Sequence, residues 1–234
     1  GTLARNKREI LACAGSNYVA SPTLEAFNKN AQDSWKNMAV VGIPCQVMAL
    51  GKMRINPLEE KNHIEKLGLV IGLFCTWALS YKEFFNFLKK DFPVEEIGKM
   101  DIPPPPANVF QVGLPQGAKS ISLDHVRKFV RPTCTVCLDM TAEFSDLSIG
   151  AVEGISGWNT VILRTAKGQE LLEEARRARV IEVAEMPRAN LKHLKEAALL
   201  KKKRALENIV KRTGSKENLL YLQGTDALRP LLPE

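Results

Sequence analysis

The sequence holds 234 residues, 45% hydrophobic and 25% charged, with a net charge of +7, the composition of an ordinary soluble globular chain with room for one large domain or two small ones. Its longest apolar stretch, LGLVIGLFCTWAL at 67–79, is shorter than the roughly 20 residues of a membrane-spanning helix, so no membrane span is expected. The opening GTLARNKREI is charged and has no signal-like apolar run, so the expectation is a cytoplasmic rather than secreted protein, with Gly1 falling inside a longer sequence.

Taken in chain order, PTLEAFNKNA at 22–31 carries a helix signal: Ser21 can cap, Pro22 suits the first helical position, and Glu25 lies near the start. NMAVVG at 37–42 predicts a short buried strand and CQVMALGKMR a helix after it, while 64–71 leads into a second strand. YKEFFNFLKKDF at 81–92 spaces Phe84, Phe85, Leu88 and Phe92 as one helical face. Strand, helix, strand, helix is the order of a parallel α/β layer. The four prolines of DIPPPPANVF at 101–110 exclude helix and central strand and mark a connection. Beyond them NVFQVGL and KSISLDHV read as strands around PQGA, and SDLSIGAV and WNTVILRT as strands around a Gly-rich turn at 153–157. KGQELLEEARRA predicts a helix, VIEVAEM a strand, and 189–213 a long basic helix. The fold class expected is α/β, a mixed, partly parallel sheet flanked by helices with a cysteine-bearing loop region. Its parts are an α/β part at 1–100, a β-rich part at 101–188, and a basic helix and tail at 189–234.

The charge is local. Nine basic side chains between Arg188 and Arg212 face two acidic ones, Glu196 and Glu207, so the rest of the chain is neutral. A basic run on a helix is usually a solvated face, and this one lacks the interleaved aromatics of a single-strand binder. An acidic protein partner fits it better than nucleic acid, which is not expected.

Five cysteines in a chain of this size do not suggest a disulfide framework. VVGIPCQ at 40–46 and VIGLFCT at 70–76 repeat one pattern, Gly42 then Cys45 and Gly72 then Cys75. If the two strands are parallel neighbours, both cysteines leave the carboxyl edge where open α/β sheets bind ligands. RPTCTVCLD at 131–139 adds the C-x-x-C of Cys134 and Cys137, a loop pattern shared by zinc and iron-sulfur sites. Alone, each cysteine is as well read as a small buried hydrophobe. Together they make four thiolates from three loops, which fits a tetrahedral zinc or a 4Fe-4S cluster; single, widely spaced ligands lean toward the cluster. Cys13 is left as an ordinary thiol. His63, His125 and His193 share no motif and read as surface or satisfied histidines.

AGSNYVASPTL, VVGIPCQVMALGKM, VIGLFC, RPTCTVCLDMTAEFSDLSIGAV and GWNTVILRT together resemble the coenzyme F420 hydrogenase/dehydrogenase beta-subunit family, from about Leu11 to about Val210. The resemblance implies an iron-sulfur flavoprotein in which Cys45, Cys75, Cys134 and Cys137 hold a 4Fe-4S cluster. FAD would convert between the hydride of coenzyme F420, as substrate, and single electrons. It implies partners among hydrogenase, formate dehydrogenase or other redox-complex subunits, or ferredoxin. For the flavin it points to Ser16, Tyr18, Ser21 and Thr23, the last two also explicable as caps, and to Gly157, Trp158, Asn159 and Thr160, with Trp158 equally readable as core. Asp139 and Asp146 would bond backbone around the cluster loop or cap turns. Two departures bear on the flavin: the family's Gly-rich flavin segment precedes the first residue here, and Asn17 stands where many members have lysine. The other readings of the residues are a flavin-less, cluster-bearing relay or structural subunit and a zinc-stabilised binding module.

Overall fold

The computed structural model describes residues 1–32, 37–56, 63–103, 107–222 and 226–233. In chain order the elements are α1 Lys7–Ala12, α2 Thr23–Ala31, β1 Met38–Gly42, α3 Pro44–Ile55, β2 Leu67–Leu73, α4 Tyr81–Asp91, β3 Lys99–Asp101, β4 Val109–Leu114, β5 Gly117–Ser122, α5 Leu123–Val126, β6 Leu147–Ala151, β7 Asn159–Leu163, α6 Ala166–Arg177 and α7 Arg188–Thr213. Two compact units result, one of Gly1–Pro22 with Trp77–Cys134, the other of Thr23–Thr76 with Thr135–Glu234. Each unit joins two separate stretches, whereas the parts read from sequence are consecutive. Of the proline run, residues 104–106 lie outside the described residues.

The first unit is built on a three-stranded antiparallel sheet, β3-β4-β5. Leu114 pairs with Gly117, leaving Pro115 and Gln116 as a two-residue hairpin loop. Its core gathers Leu79, Phe84, Leu88, Phe110, Val112, Leu123 and Val126. Phe84 meets Phe110 edge-on with ring centroids 5.4 Å apart, a favourable aromatic geometry. Here the expected strand KSISLDHV is corrected: it ends at Ser122 and turns helical. Leu123 and Val126 are both buried; three residues apart, they share a face on a helix but would point to opposite faces of a strand.

The second unit carries the mixed sheet β1-β2-β6-β7. β1 pairs parallel with β2 and β2 parallel with β6, while β7 runs antiparallel to β6 at the edge. The β-branched runs explain the centre of this sheet: Val40 and Val70 are buried opposite one another. α3 packs Pro44, Val47 and Leu50 inward at helical spacing. The expected strand VIEVAEM at 180–186 does not form. Val180, Ile181 and Val183 are exposed, and β-propensity without a neighbouring strand to pair with does not make a strand.

Asp146 holds this sheet to its flanking elements. Its amide donates to the Val70 carbonyl at 2.8 Å, and its Oδ2 accepts the Val70 amide at 2.7 Å, so one residue takes both backbone groups of a central-strand position. Oδ1 accepts the Thr165 hydroxyl at 2.8 Å, and Thr165 caps α6 by accepting the Gly168 amide. The Asp146 carbonyl accepts the amides of Arg164 and Thr165 at the end of β7.

The paired glycines sit in register, Gly42 opposite Gly72, but their surroundings differ. A Cβ on Gly72 would lie 2.3 Å from the Ala142 Cβ and 2.8 Å from the Ser145 hydroxyl, whereas one on Gly42 would meet the flexible Gln46 side chain at 3.3 Å. Of the two paired glycines, Gly72 is therefore the close approach. Gly72→Ala is expected to cost about 1–3 kcal/mol by overpacking, and Gly42→Ala to stay within about 1 kcal/mol, as read from urea unfolding midpoints. In the same assay Asp146→Ala is expected to cost about 3 kcal/mol, because the buried Val70 amide loses a charged acceptor, and Asp146→Asn, which keeps an acceptor oxygen, to cost less.

Candidate cysteine centre

None of the five cysteines is in a disulfide. Cys45 and Cys75 leave the carboxyl ends of two adjacent parallel strands, each three residues past one of the paired glycines. Cys45 is the second residue of α3, after Pro44. The Gln46 side chain closes the helix start by accepting the Ile43 amide at 3.1 Å. Cys45 is exposed, at the electropositive end of the helix dipole. Cys75 is partly buried, and its amide donates to the Met140 carbonyl at 2.9 Å, fastening the exit of β2 to the loop that follows the C-x-x-C.

Cys134 ends the first unit's second stretch, and Cys137 falls in the second unit. In the first unit the Cys134 sulfur accepts the Ala78 amide at 3.3 Å. In the second, the Cys137 sulfur lies 3.6 Å from the Asp139 carbonyl oxygen. The Asp139 carboxylate accepts the amides of Thr141 and Glu143 at 3.0 and 2.8 Å, so it caps the loop, as one of its two expected roles had it. Burial pushes its pKa above the usual carboxylate value against the lowering effect of those amides.

Two residues at this centre carry no motif in the sequence. Tyr221 donates its hydroxyl to the Val136 carbonyl at 2.9 Å. Burial first, then the neighbouring Cys137, Asp139 and Cys45, pushes its pKa up to about 12, so the hydroxyl stays a donor. Lys201 is buried, and its ammonium donates to the carbonyls of Cys75 at 2.6 Å and Asp139 at 2.7 Å. In the second unit, then, Lys201 ties the Cys75 carbonyl to the loop that follows Cys137. Among the described residues no three His, Cys, Asp or Glu side chains form a group able to hold one metal ion. Thiolates are the ligands that zinc and iron-sulfur centres share, and Cys45, Cys75 and Cys137 of this unit offer three of them, with the Lys201 ammonium beside the Cys75 carbonyl.

The expected flavin contacts fall in both units. In the first, Ser16 lines a cavity of about 520 Å³ with Cys13, Asn17 and Lys99. Tyr18 is committed to structure: its ring packs on Phe110, its hydroxyl lies 3.5 Å from Asp101, and burial raises its pKa. The Ser21 hydroxyl accepts the Asn17 amide group at 2.9 Å. In the second unit, Thr23 begins α2. Gly157 has φ +82°, the turn that leads into β7. Trp158 is 38% exposed, which removes its reading as core. Asn159 is exposed, and Thr160 is buried in register with Gly150. Cys13 is exposed and makes only a local contact, its thiol donating to the Glu9 carbonyl at 3.3 Å. No described helix is long and apolar enough to cross a membrane.

The comparisons with known proteins agree with one another. A family model describing the C terminus of the coenzyme F420 hydrogenase/dehydrogenase beta subunit matches residues 35–189. The chain is 29% identical over 215 residues to the coenzyme F420 hydrogenase subunit beta of Methanothermobacter thermautotrophicus, covering 90% of this chain and 75% of that protein. It is 29% identical over 236 residues to the coenzyme F420-dependent sulfite reductase of Methanocaldococcus jannaschii, covering 96% of this chain but 36% of that longer protein. Among solved structures, a chain of the F420-reducing NiFe hydrogenase complex from Methanosarcina barkeri superposes with a TM-score of 0.78 at 26% identity, over 94% of this chain and 76% of that one. With a mixed α/β fold that superposes on a hydrogenase chain and a family match over more than half its length, this protein belongs to the coenzyme F420 hydrogenase/dehydrogenase beta-subunit family.

Proposed function

We propose that this chain is the coenzyme F420-linked subunit of a cytoplasmic redox complex, exchanging electrons with a hydrogenase, a formate dehydrogenase or another oxidoreductase subunit, or with ferredoxin. The observation that carries the reading is the register of β1 and β2: Gly42 lies opposite Gly72, so Cys45 and Cys75 depart from one sheet edge in a chain of this family. Cys45, Cys75, Cys134 and Cys137 would hold a 4Fe-4S cluster. When bound, the cluster supplies single-electron capacity and FAD the exchange between one electron and the two of a hydride.

The chain's own residues keep the centre ordered. The Ala78 amide donates to the Cys134 sulfur and fixes its position in the first unit. Asp139 fixes the turn after Cys137 by taking two amides, and Tyr221 holds the Val136 carbonyl beside it. Exposed Trp158 and Asn159 in the second unit, and separately Ser16 at its cavity in the first, are candidate groups to meet a flavin or deazaflavin. No side-chain acid or base is needed for hydride transfer, which agrees with histidines placed elsewhere: His193 pairs with Glu153 at 2.9 Å, and His125 stacks on Phe87.

Anaerobic purification followed by visible spectroscopy and iron and flavin analysis tests the reading. Wild-type protein is expected to show iron-sulfur and flavin absorption and to be bleached by reduced coenzyme F420. Cys45→Ala, Cys75→Ala, Cys134→Ala and Cys137→Ala should each lower bound iron sharply, because losing one thiolate opens a position on an iron, while Cys13→Ala should not. Iron without flavin would favour the relay reading, which Asn17 and the missing lysine support. Full iron in any of the four variants would remove that cysteine from the site.

A further inference from the structure

The basic run Lys201, Lys202, Lys203 looks like a solvated surface in the sequence, and the structure divides it. On α7 the buried positions are Lys201, Ala205, Leu206 and Ile209, so Lys201 occupies the inward stripe of the helix together with aliphatic side chains. It is 4% exposed. Lys202 pairs with Glu143 at 2.6 Å, and Lys203 faces solvent. The partners of the Lys201 ammonium are two neutral carbonyls, those of Cys75 and Asp139. The Asp139 carboxylate is occupied by backbone amides. A buried ammonium with no carboxylate paired to it among the described residues is costly, and this one shares a carbonyl oxygen with the Cys137 sulfur.

We propose that Lys201 is a positioning residue of the cysteine centre: it ties the Cys75 exit to the loop after Cys137, and its buried positive charge offsets the negative charge of cluster thiolates. This rests on the reading that the four cysteines hold a 4Fe-4S cluster. The ammonium carries out two tasks that separate experimentally. As a clamp it holds two loops by their carbonyls before any iron binds, which sets how well the centre retains the cluster. As a charge it stabilises the more negative, reduced state, which sets the reduction potential. A structural clamp alone would alter retention and leave the potential where it was.

The experiment compares wild type with Lys201→Met, Lys201→Gln, Lys201→Arg and the surface control Lys203→Met. All are purified anaerobically, checked for folding by circular dichroism and gel filtration, and measured for iron per chain and for reduction potential by spectroscopic titration. Lys201→Met and Lys201→Gln are expected to lose about ten- to a hundred-fold in iron affinity, by analogy with other groups that orient metal ligands, and their residual cluster is expected to titrate at a more negative potential. Lys201→Arg should stay close to wild type in potential, and Lys203→Met in both readings. The proposal is overturned if a folded neutral variant keeps the wild-type potential, if Lys201→Arg shifts as the neutral variants do, or if neither neutral variant folds, which would make Lys201 a structural residue only. Wild-type protein that binds no iron would instead overturn the reading of the four cysteines.

Discussion

The grip of Asp146 on Val70 is the constraint on which the second unit depends. In an extended strand the amide and carbonyl of one residue point to the same side, and in a parallel ladder they ordinarily go to two different residues of the neighbouring strand. Here both groups of Val70 go to one residue just before β6. The bond fixes where β6 starts along β2, so that Gly72 pairs with Ser148 and Leu73 with Ile149. It also sets where the chain from Cys137 to Ser145 must run, across Gly72, with Ala142 in a left-handed conformation at φ +57°. Cys75 then meets Met140 by a backbone bond. The loop that follows the C-x-x-C is thus held at the end of β2 by main-chain bonds on both sides, and its placement does not depend on the cysteine sulfurs.

What the sequence made legible follows from how local the signal was. The β-branched runs before Gly42 and Gly72, the phenylalanine-rich helix α4 and the helix α3 over CQVMALGKMR are each settled within a few residues, and each formed as expected, with Pro44 added at the start of α3. The failures needed a neighbour. KSISLDHV has a strand's composition throughout, but Leu123 and Val126 find a common core beside Phe110, and only a helical turn lets both reach it. VIEVAEM has β-propensity and no strand beside it. The two-unit division was equally hidden, because Thr76 and Trp77 are adjacent in sequence and belong to different units. The four cysteines stood out by repetition and spacing, whereas Tyr221 and Lys201, which bond backbone beside Cys75 and Cys137, sit in a tail and in a lysine run where nothing local distinguishes them.

The charge on α7 changes meaning in the same way. Counted along the sequence, its basic excess equals the net charge of the chain, which suggests a free surface. In the structure Lys201 is internal, Lys202 is paired with Glu143, Lys192 lies 3.8 Å from Glu196, and His193 meets Glu153. Exposed pairs of this kind contribute little to stability, but they take cations out of the set that an acidic partner would meet. A helix of 26 residues with a mostly solvated surface is held by one stripe, where Ala205, Leu206 and Ile209 pack with Val136, Leu138 and Leu219. That stripe seats the helix beside the residues that flank Cys137, and it carries Lys201 inward with it.

The flavin candidates show how far polar residue types alone can carry a site. Of the eight positions suggested by resemblance, Tyr18 and Thr160 are spent on packing and register, Ser21 on Asn17, Thr23 on the start of α2, and Gly157 on a turn that demands positive φ. Ser16, Trp158 and Asn159 retain surface that a ligand can use. An aromatic indole held 38% exposed at a turn is unusual for a residue of its size, since most of its area is normally buried. The cysteines differ in kind: they stand out by spacing, none is in a disulfide, and backbone amides and the Lys201 ammonium order the loops that carry Cys75 and Cys137. Their proposed role as cluster ligands can therefore be tested residue by residue, while the proposed hydride donor is inferred from the family to which the chain belongs.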